Sequence, residues 1–305
     1  MSQATEEAIR PAAPAPHPFQ PQKGTLALRR NASNLAVIGL TGLITVAAAS
    51  FLVLITFYVI HQGFAYLNLA FFTQPPAAMG QEGGGVAPAI QGTIILIVLA
   101  ALFGGPPGLF TGIYLAEIGR GRFANMVRFL VDTLTGIPTI IFGLFAWALI
   151  VVPSQSFSAY SGGIALGIIM IPTVARTTED VLRLVPAELR EASAALGATQ
   201  SRTILRVVLP AARSGIATGF ILAVARVAGE TAPLLMTAFG SQFFFTSLNR
   251  PVAALPLQVF VFTLSPYQAQ INQAHAVAFI LLALVVLASL TVRLVTGAFS
   301  ARVRH

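Results

Sequence analysis

The stretch NLAVIGLTGLITVAAASFLVLITFYVI, residues 34–60, contains no charged residue. About 20 apolar residues are enough for a helix to cross the ~30 Å hydrocarbon core of a membrane. The rest of the chain is similarly apolar: 56% of the 305 residues are hydrophobic, 9% are charged, and the mean hydropathy is +0.81. Soluble domains carry roughly 25% charged residues. This composition therefore excludes a soluble globular protein and indicates an integral membrane protein.

Further apolar segments follow along the chain at residues 88–115, 129–152, 161–175, 214–240 and 274–295. The apolar runs are continuous rather than alternating, so they predict helices. The segment 161–175 is short, and we expect it to extend toward Thr178. The fold class is thus predicted to be an all-α integral membrane protein with six transmembrane helices. Between the last two spans, residues 252–262 are expected to form an interfacial or re-entrant helix.

The placement of the basic residues predicts the orientation of the chain. Of its 18 Lys and Arg, 16 lie before the first span, after the second, after the fourth, or at and beyond the end of the sixth. Such an excess marks the cytoplasmic side, so both termini are predicted to be cytoplasmic. Residues 1–30 are rich in Pro and Ala and are predicted to be a disordered tail. Residues 31–298 are assigned to the membrane domain and residues 299–305 to a C-terminal cytoplasmic tail.

The fifth predicted span, ATGFILAVARVAGETAPLLMTAFG (residues 217–240), contains Arg226 and Glu230. Each charge costs about 2.5–3.5 kcal/mol at the centre of a membrane helix. A spacing of four places both side chains on one helical face, where they can pair. Pro233 follows and is expected to kink the helix and free the carbonyl of Gly229. Either the pair holds spans together, or it belongs to an anion site that lines a cavity.

Arg226 and Glu230 together would suit phosphate. The planar guanidinium fork of an arginine matches phosphate-type oxygens. Monoprotonated phosphate also carries a hydrogen-bond donor that the Glu230 carboxylate can accept, whereas sulfate at neutral pH has none. Glu230 therefore favours phosphate over sulfate.

Other charged residues have simpler interpretations. Asp132 is expected to pair with Arg128, and Glu117 with Arg120, over one helical turn. Arg176 follows the fourth span, where it either fixes the topology or takes part in transport.

The basic segment at about 179–213 predicts two short helices that meet at a corner. Pro186 suits the first helical position, Gly197 suits the residue that stops a helix, and Thr199 can cap a second helix that must end before Pro210. We call these two helices the knuckle. Its exposed apolar surface is expected to comprise Ile204, Leu205 and Val208. Such a surface suits either a groove on another protein or the surface of an anionic membrane.

The knuckle sequence resembles the "EAA" loop of ABC importer permeases. The resemblance rests on Glu191-Ala192-Ser193, followed by Gly197 and by Leu209-Pro210. Ser193 stands where the motif has its second Ala. In that family the loop docks onto the ATPase subunit. The resemblance implies that Glu191, Ala192, Gly197, Leu209 and Pro210 couple this chain to an ATPase.

A second resemblance points to the permeases of phosphate ABC transporters. The run A-R-x-x-G-E-T-A-P-L-L at 225–235, DTLTGIPTIIFG at 132–143 and GIYLAE at 112–117 are similar to that family. In length and loop layout, the chain is more similar to the PstA type than to the PstC type. The resemblance implies the fold of a type I ABC importer permease. It also implies that Arg226 and Arg176 line the phosphate path, with Gly229, Thr231 and Pro233 as signature residues.

The resemblance further implies the partners: a homologous PstC-type permease, a dimer of PstB-type ATPases and an extracytoplasmic PstS-type phosphate-binding protein. It places the chain in the bacterial inner membrane. No G-x-x-x-x-G-K-[ST] phosphate-binding loop occurs in the sequence. The chain is therefore expected to be a transport subunit and no enzyme, with ATP and Mg bound by the partner ATPase.

No cofactor or metal site is predicted, because the chain lacks Cys and its four His are scattered. Two alternatives remain open at this point. One is a permease for another oxyanion, such as phosphonate, molybdate or sulfate. The other is an ATP-independent secondary transporter.

Overall fold

The computed structural model describes residues 25–302, with side chains from Arg29 to Leu290. Its contacts divide the chain into two units, residues 1–57 and 58–305, and the described part of the first unit is helical throughout. The described helices are α1 (Thr25–Phe64), α2 (Leu69–Thr73), α3 (Ala87–Ile113), α4 (Gly121–Gly136), α5 (Thr139–Ala146), α6 (Val152–Ser154), α7 (Ala159–Arg183), α8 (Ala187–Ala195), α9 (Gln200–Thr203), α10 (Leu209–Ala228), α11 (Ala232–Thr237), α12 (Leu255–Thr263) and α13 (Gln268–Arg302). Three π-helical segments, Tyr114–Ile118, Trp147–Val151 and Ile204–Val208, continue α3, α5 and α9 respectively.

Five of these helices are long and apolar enough to cross a membrane, and a bent pair makes a sixth candidate span. This supports the predicted all-α membrane fold with six spans. The short fourth span is longer than predicted, since α7 runs from Ala159 to Arg183. The predicted helix near residues 252–262 is present as α12, whose Leu255 and Phe262 are buried.

The third predicted span is not straight. Residues 129–152 fall into α4 and α5, which meet at an angle of 102°. The cause is local: Ile137 precedes Pro138, and a residue before proline is pushed into extended backbone, here with φ −75° and ψ 134°. Hydropathy is uniform across this stretch, so it could not reveal the break.

The fifth predicted span also differs from the structure. The second knuckle helix does not end before Pro210; it continues through the π-helical segment Ile204–Val208 into α10. Pro210 is tolerated because it lies in the first turn of α10, next to that change of helical pitch. The span then ends at Ala228 rather than continuing to Gly240. The short helix α11 follows it.

The ends of the chain require a smaller correction. Residues 25–30 were predicted to belong to a disordered tail, yet α1 begins at Thr25. Residues 1–24 of that tail lie outside the described residues. At the other end, α13 continues to Arg302 and so includes part of the predicted C-terminal tail, whose last residues, 303–305, also lie outside the description.

Helices α3 and α7 form the centre of the second unit and pack along small residues. A Cβ atom built on Gly104 would overlap the carbonyl oxygen of Gly167 on α7. On Gly108 it would lie 2.8 Å from Cβ of Val174, and on Gly112 2.5 Å from Cβ of Thr178. Membrane helices associate closely where small residues let their backbones approach. We call these contacts of Gly104, Gly108 and Gly112 with α7 the glycine seam. The seam packs α7, whose C-terminal half carries the charged residues, closely against α3.

Candidate functional site

Arg226 lies in the last turn of α10, facing α7. Its guanidinium Nη1 is 3.5 Å from Oγ1 of Thr173, a long hydrogen bond to a partly buried hydroxyl. Among the described residues, no carboxylate lies within ion-pair distance of Arg226. The side chain is also exposed. Its remaining donors are therefore available to a ligand.

The predicted pairing of Arg226 with Glu230 is wrong. Gly229 ends α10, donating its N–H to the carbonyl of Arg226 at 3.3 Å, so Glu230 does not continue the same helical face. No ion pair joins the two side chains in the described part of the protein. Glu230 is partly buried and lies in the break that follows Arg226.

The signature residues form this break rather than a kink. Pro233 was expected to bend a continuous helix, but it occupies the first turn of α11, where a missing N–H costs nothing. The carbonyl of Thr231 accepts the N–H groups of Leu234 and Leu235 and so begins α11. A Cβ atom built on Gly143 of α5 would lie only 2.5 Å from Cα of Pro233, so α5 packs closely against the start of α11 at this glycine. Two helix ends therefore meet beside Arg226, braced by α5.

Arg176 lies inside α7 and already has carboxylate partners. Its Nη1 is 3.3 Å from Oδ1 of Asp132 on α4, and its Nε is 3.3 Å from Oδ2 of Asp180. Thr173, the hydroxyl partner of Arg226, lies three residues earlier on α7, roughly 4.5 Å along the helix axis. Arg226 therefore contacts α7 about one turn before the position of Arg176 on that helix. Arg226 has no carboxylate partner among the described residues, whereas Arg176 has two.

The predicted pairing of Asp132 with Arg128 is also wrong. Asp132 pairs with Arg176 instead of Arg128, while Arg128 reaches Glu179 at 2.9 Å. Glu179 is buried, and Arg183 contacts the same carboxylate oxygen at 2.6 Å. The bonds from Arg128 to Glu179 and from Arg176 to Asp132 join α4 to α7 over 51 and 44 residues, which a search over one helical turn cannot find.

The knuckle has the predicted corner. Helix α8 begins at Ala187, one residue later than predicted, so Pro186 is its N-cap residue rather than its first helical residue. Gly197 follows α8 with a left-handed φ of 76°. Thr199 occupies the capping position of α9, although its side chain makes no capping bond. The hydroxyls of Ser193 and Thr203 lie 2.8 Å apart and join the two helices. The knuckle is therefore a closed unit.

The apolar surface of the knuckle differs from the prediction. Ile204 and Val208 are buried, and Val208 packs in an apolar cluster with Leu182 and Val185 at the end of α7. Leu205 is 65% exposed, as expected. Leu184, Leu189 and Leu196 are also exposed, and Leu196, next to Gly197 at the corner, is 89% exposed. Of the predicted coupling residues, Glu191, Ala192, Gly197 and Pro210 are exposed, and Leu209 is partly buried.

Arg190, on α8, makes contacts that the sequence did not indicate. Its Nη2 is 2.6 Å from Oε1 of Glu117, and its Nε is 3.1 Å from Oε2, a bidentate pair. Its guanidinium also donates to the carbonyls of Leu182 at 2.9 Å and Val185 at 2.7 Å. The hydrogen bond to Glu117 raises the pKa of Arg190, against an opposing effect of burial. Glu117 was predicted to pair with Arg120, and that prediction is wrong.

No group of three or more Asp, Glu or His side chains gathers around a common point within the described range, so the geometry offers no metal site there. The guanidinium of Arg226 has donors that can form hydrogen bonds to an anion. The guanidinium of Arg190 joins α8 to Glu117 and to the end of α7.

Comparison with known proteins agrees with this description. A family model described as "Binding-protein-dependent transport system inner membrane component" matches residues 108–305. The chain is 42% identical to the phosphate transport system permease protein PstA of Yersinia pestis over 245 residues, covering 80% of this chain and 83% of that protein. It is also 42% identical to PstA of Haemophilus influenzae over 248 residues, covering 81% and 88%.

Among solved structures, the chain resembles an inward-facing form of the MetNI methionine ABC transporter. The TM-score is 0.58 at 21% identity, covering 69% of this chain and 95% of the matched chain. At this identity the likeness concerns the fold, which is that of a type I ABC importer permease.

Proposed function

We infer the function of this chain from its family: it belongs to the binding-protein-dependent transport system inner membrane components and, within them, to the PstA-type phosphate permeases. It is a multi-pass permease subunit of a phosphate ABC transporter. We propose that Arg226, at the break between α10 and α11, binds phosphate during its passage, and that the knuckle docks onto a separate ATPase.

The observation that carries the phosphate site is the contrast between Arg226 and three other arginines that lie on or contact α7. Arg128, Arg176 and Arg190 each contact a carboxylate, whereas no described carboxylate contacts Arg226. An arginine in an apolar helix is costly, so an unpaired one requires a compensating interaction. An oxyanion supplies it through charge-assisted hydrogen bonds, which are stronger than neutral ones.

Neighbouring groups add selectivity to this site. The Thr173 hydroxyl, 3.5 Å from Arg226, can accept from the guanidinium while donating to a phosphate oxygen. Glu230 lies across the helix break without an ion pair in the described structure. Its carboxylate can accept the proton of monoprotonated phosphate. Sulfate, molybdate and other oxyanions that carry no proton would instead meet a repulsive negative charge.

The docking function of the knuckle rests on its exposed leucines. Leu184, Leu196 and Leu205 are exposed apolar side chains in the segment that contains the glycine corner. Large exposed apolar side chains grouped on a polar loop are typical of a protein contact. The sequence lacks a phosphate-binding loop, so ATP and Mg would be held by the partner ATPase.

The complete transporter would contain this chain, a homologous PstC-type permease, two PstB-type ATPases and an external PstS-type binding protein. It would lie in the bacterial inner membrane. Both termini and the knuckle would face the cytoplasm, as the basic residues predict. Alternating access, driven by ATP binding and hydrolysis, would then move phosphate past Arg226.

Phosphate uptake with an Arg226→Gln variant tests the site. The assay uses cells that contain the other subunits and only this copy of the permease, with co-purification of the ATPase confirming assembly. We expect uptake at low phosphate to fall at least about tenfold, the effect of a charge-assisted hydrogen bond. Arg122→Gln, an exposed arginine at the start of α4, is the control and should stay within about twofold. Normal uptake by an assembled Arg226→Gln complex would rule out the site.

A further inference from the structure

We propose that Arg190 and Glu117 are positioning residues that fasten the knuckle to the ends of two membrane helices and transmit the motion of the ATPase to them. This proposal rests on the proposed function, because it presupposes that an ATPase docks on the knuckle. It assigns a role to residues outside both the docking surface and the phosphate site.

Arg190 attaches the knuckle to α7. The last carbonyls of a helix have no partner within the helix and need outside donors. Leu182 belongs to the last turn of α7, and Val185 follows the helix end. Arg190 donates to both carbonyls, at 2.9 and 2.7 Å. One side chain of α8 therefore closes the end of α7 and fixes the direction in which the chain enters the knuckle.

Glu117 attaches the same arginine to α3. It lies in the π-helical segment Tyr114–Ile118, and its side chain is 6% exposed. The bidentate geometry fixes the angle between the guanidinium and the carboxylate as well as their distance. A pair in this arrangement resists rotation, which a single contact between flexible side chains would allow.

A second contact reaches α3 from the other knuckle helix. The side-chain amide of Gln200 on α9 donates to the backbone carbonyl of Glu117 at 2.9 Å. Because Ser193 and Thr203 join α8 to α9, the two attachments belong to one unit. The knuckle thus holds the end of α3 at two points and the end of α7 at one.

The position of these bonds separates transmission from docking. Arg190 is a partly buried residue of α8, whereas Leu184, Leu196 and Leu205 are exposed. Loss of the Arg190–Glu117 bonds leaves the exposed leucines in place. Docking and ATP hydrolysis should therefore persist while the movement of the knuckle no longer reaches the membrane helices. The expected defect is an uncoupled transporter, which consumes ATP without moving phosphate.

The test uses the complete complex in proteoliposomes, with external binding protein, inorganic phosphate and internal ATP. Phosphate uptake and ATP hydrolysis are measured together for Arg190→Gln, Glu117→Gln and the double variant. We expect each single variant to retain the ATPase and most of its hydrolysis, and to lose at least about tenfold in phosphate moved per ATP. The double variant should resemble the singles, because residues that act as a pair are not additive.

Two further variants complete the test. Arg190→Lys keeps the charge and reaches one carboxylate oxygen, so it should recover part of the coupling. Arg122→Gln is the control and should keep the ratio of uptake to hydrolysis. Parallel loss of uptake and hydrolysis, additive effects in the double variant, or an unchanged ratio in both single variants would each overturn the proposal. If the unaltered complex shows no ATP-driven phosphate uptake, the proposed function itself fails.

Discussion

The same side chain appears in two contrasting settings in this protein. Arg190, at the knuckle, has a bidentate carboxylate and three backbone carbonyls around its guanidinium. Arg226, at the end of α10, has one hydroxyl at 3.5 Å. The first arrangement satisfies the charge completely and therefore fixes structure. The second leaves donors unused at a helix break, which is the condition for binding a transient ligand. The comparison shows that the partners of an arginine, rather than its presence, indicate its role.

The largest effect should come from giving Arg226 a permanent partner. Thr173→Asp places a carboxylate within reach of its guanidinium and would make this site resemble that of Arg190. We expect phosphate uptake to fall by roughly 10–150-fold, the range for a hydrogen bond to a charged group. Thr173→Ser, which keeps the hydroxyl, is the matched control and should transport normally. Uptake that is equal in the two variants would contradict the contrast between the two arginines.

The second prediction concerns stability. Glu117→Ala leaves Arg190 without its carboxylate in a partly buried place, and should reduce the free energy of unfolding by about 1–3 kcal/mol. Arg226→Gln removes no ion pair of the described structure and should change it by less than about 0.5 kcal/mol. Thermal unfolding of the purified complex in detergent measures both. A larger loss for Arg226→Gln than for Glu117→Ala would reverse the assignment of roles.

A smaller effect is expected at Glu230, where the ligand rather than the fold is concerned. Glu230→Gln removes the acceptor for the proton of monoprotonated phosphate and also the charge that repels sulfate. The preference for phosphate should decrease by about 2–10-fold, the value of one hydrogen bond. Competition of sulfate against labelled phosphate uptake gives the measurement. Unchanged selectivity would remove Glu230 from the site while leaving Arg226 in it.

The smallest effect should be at Asp132, the partner of Arg176. Both side chains are about half exposed, at 46% and 55%, and the contact is 3.3 Å. Exposed ion pairs contribute roughly 0–1 kcal/mol. Asp132→Asn should therefore lower the unfolding temperature less than Glu117→Ala does, when both are compared in the same detergent. An equal loss would mean that exposure is a poor guide to the strength of these pairs.

Sequence could predict the features that follow from local composition. Long apolar runs established the helical membrane fold, and Gly197 established the corner of the knuckle, because a left-handed residue there has a strong chemical preference. The break after Gly136 was invisible to hydropathy. The extent of α10 was also misjudged, because a proline at 210 is acceptable where a π-helical segment precedes it.

The ion pairs between different helices could not be predicted, for a different reason. A spacing of three or four residues suggested Arg128 with Asp132 and Arg226 with Glu230. In the structure, the partners of Arg128, Arg176 and Arg190 on other helices lie 51, 44 and 73 residues away. Such pairs depend on which helices are neighbours, and that is decided by packing. Two acidic residues near helix ends, Glu117 and Glu179, were the available signals, but nothing local identified their partners.

The glycine seam between α3 and α7 has a consequence for how the transporter can move. If one helix slid along the other, side chains would clash with the backbone at the close contacts of Gly104 and Gly112. The two helices should therefore move together as one rigid pair. The knuckle holds the C-terminal ends of both helices, through Glu117 beyond α3 and through Leu182 of α7. Arg226 belongs to α10 and contacts this pair of helices through Thr173 of α7. A movement of α3 and α7 would therefore change the 3.5 Å distance between Thr173 and Arg226, and with it the surroundings of an anion bound at Arg226.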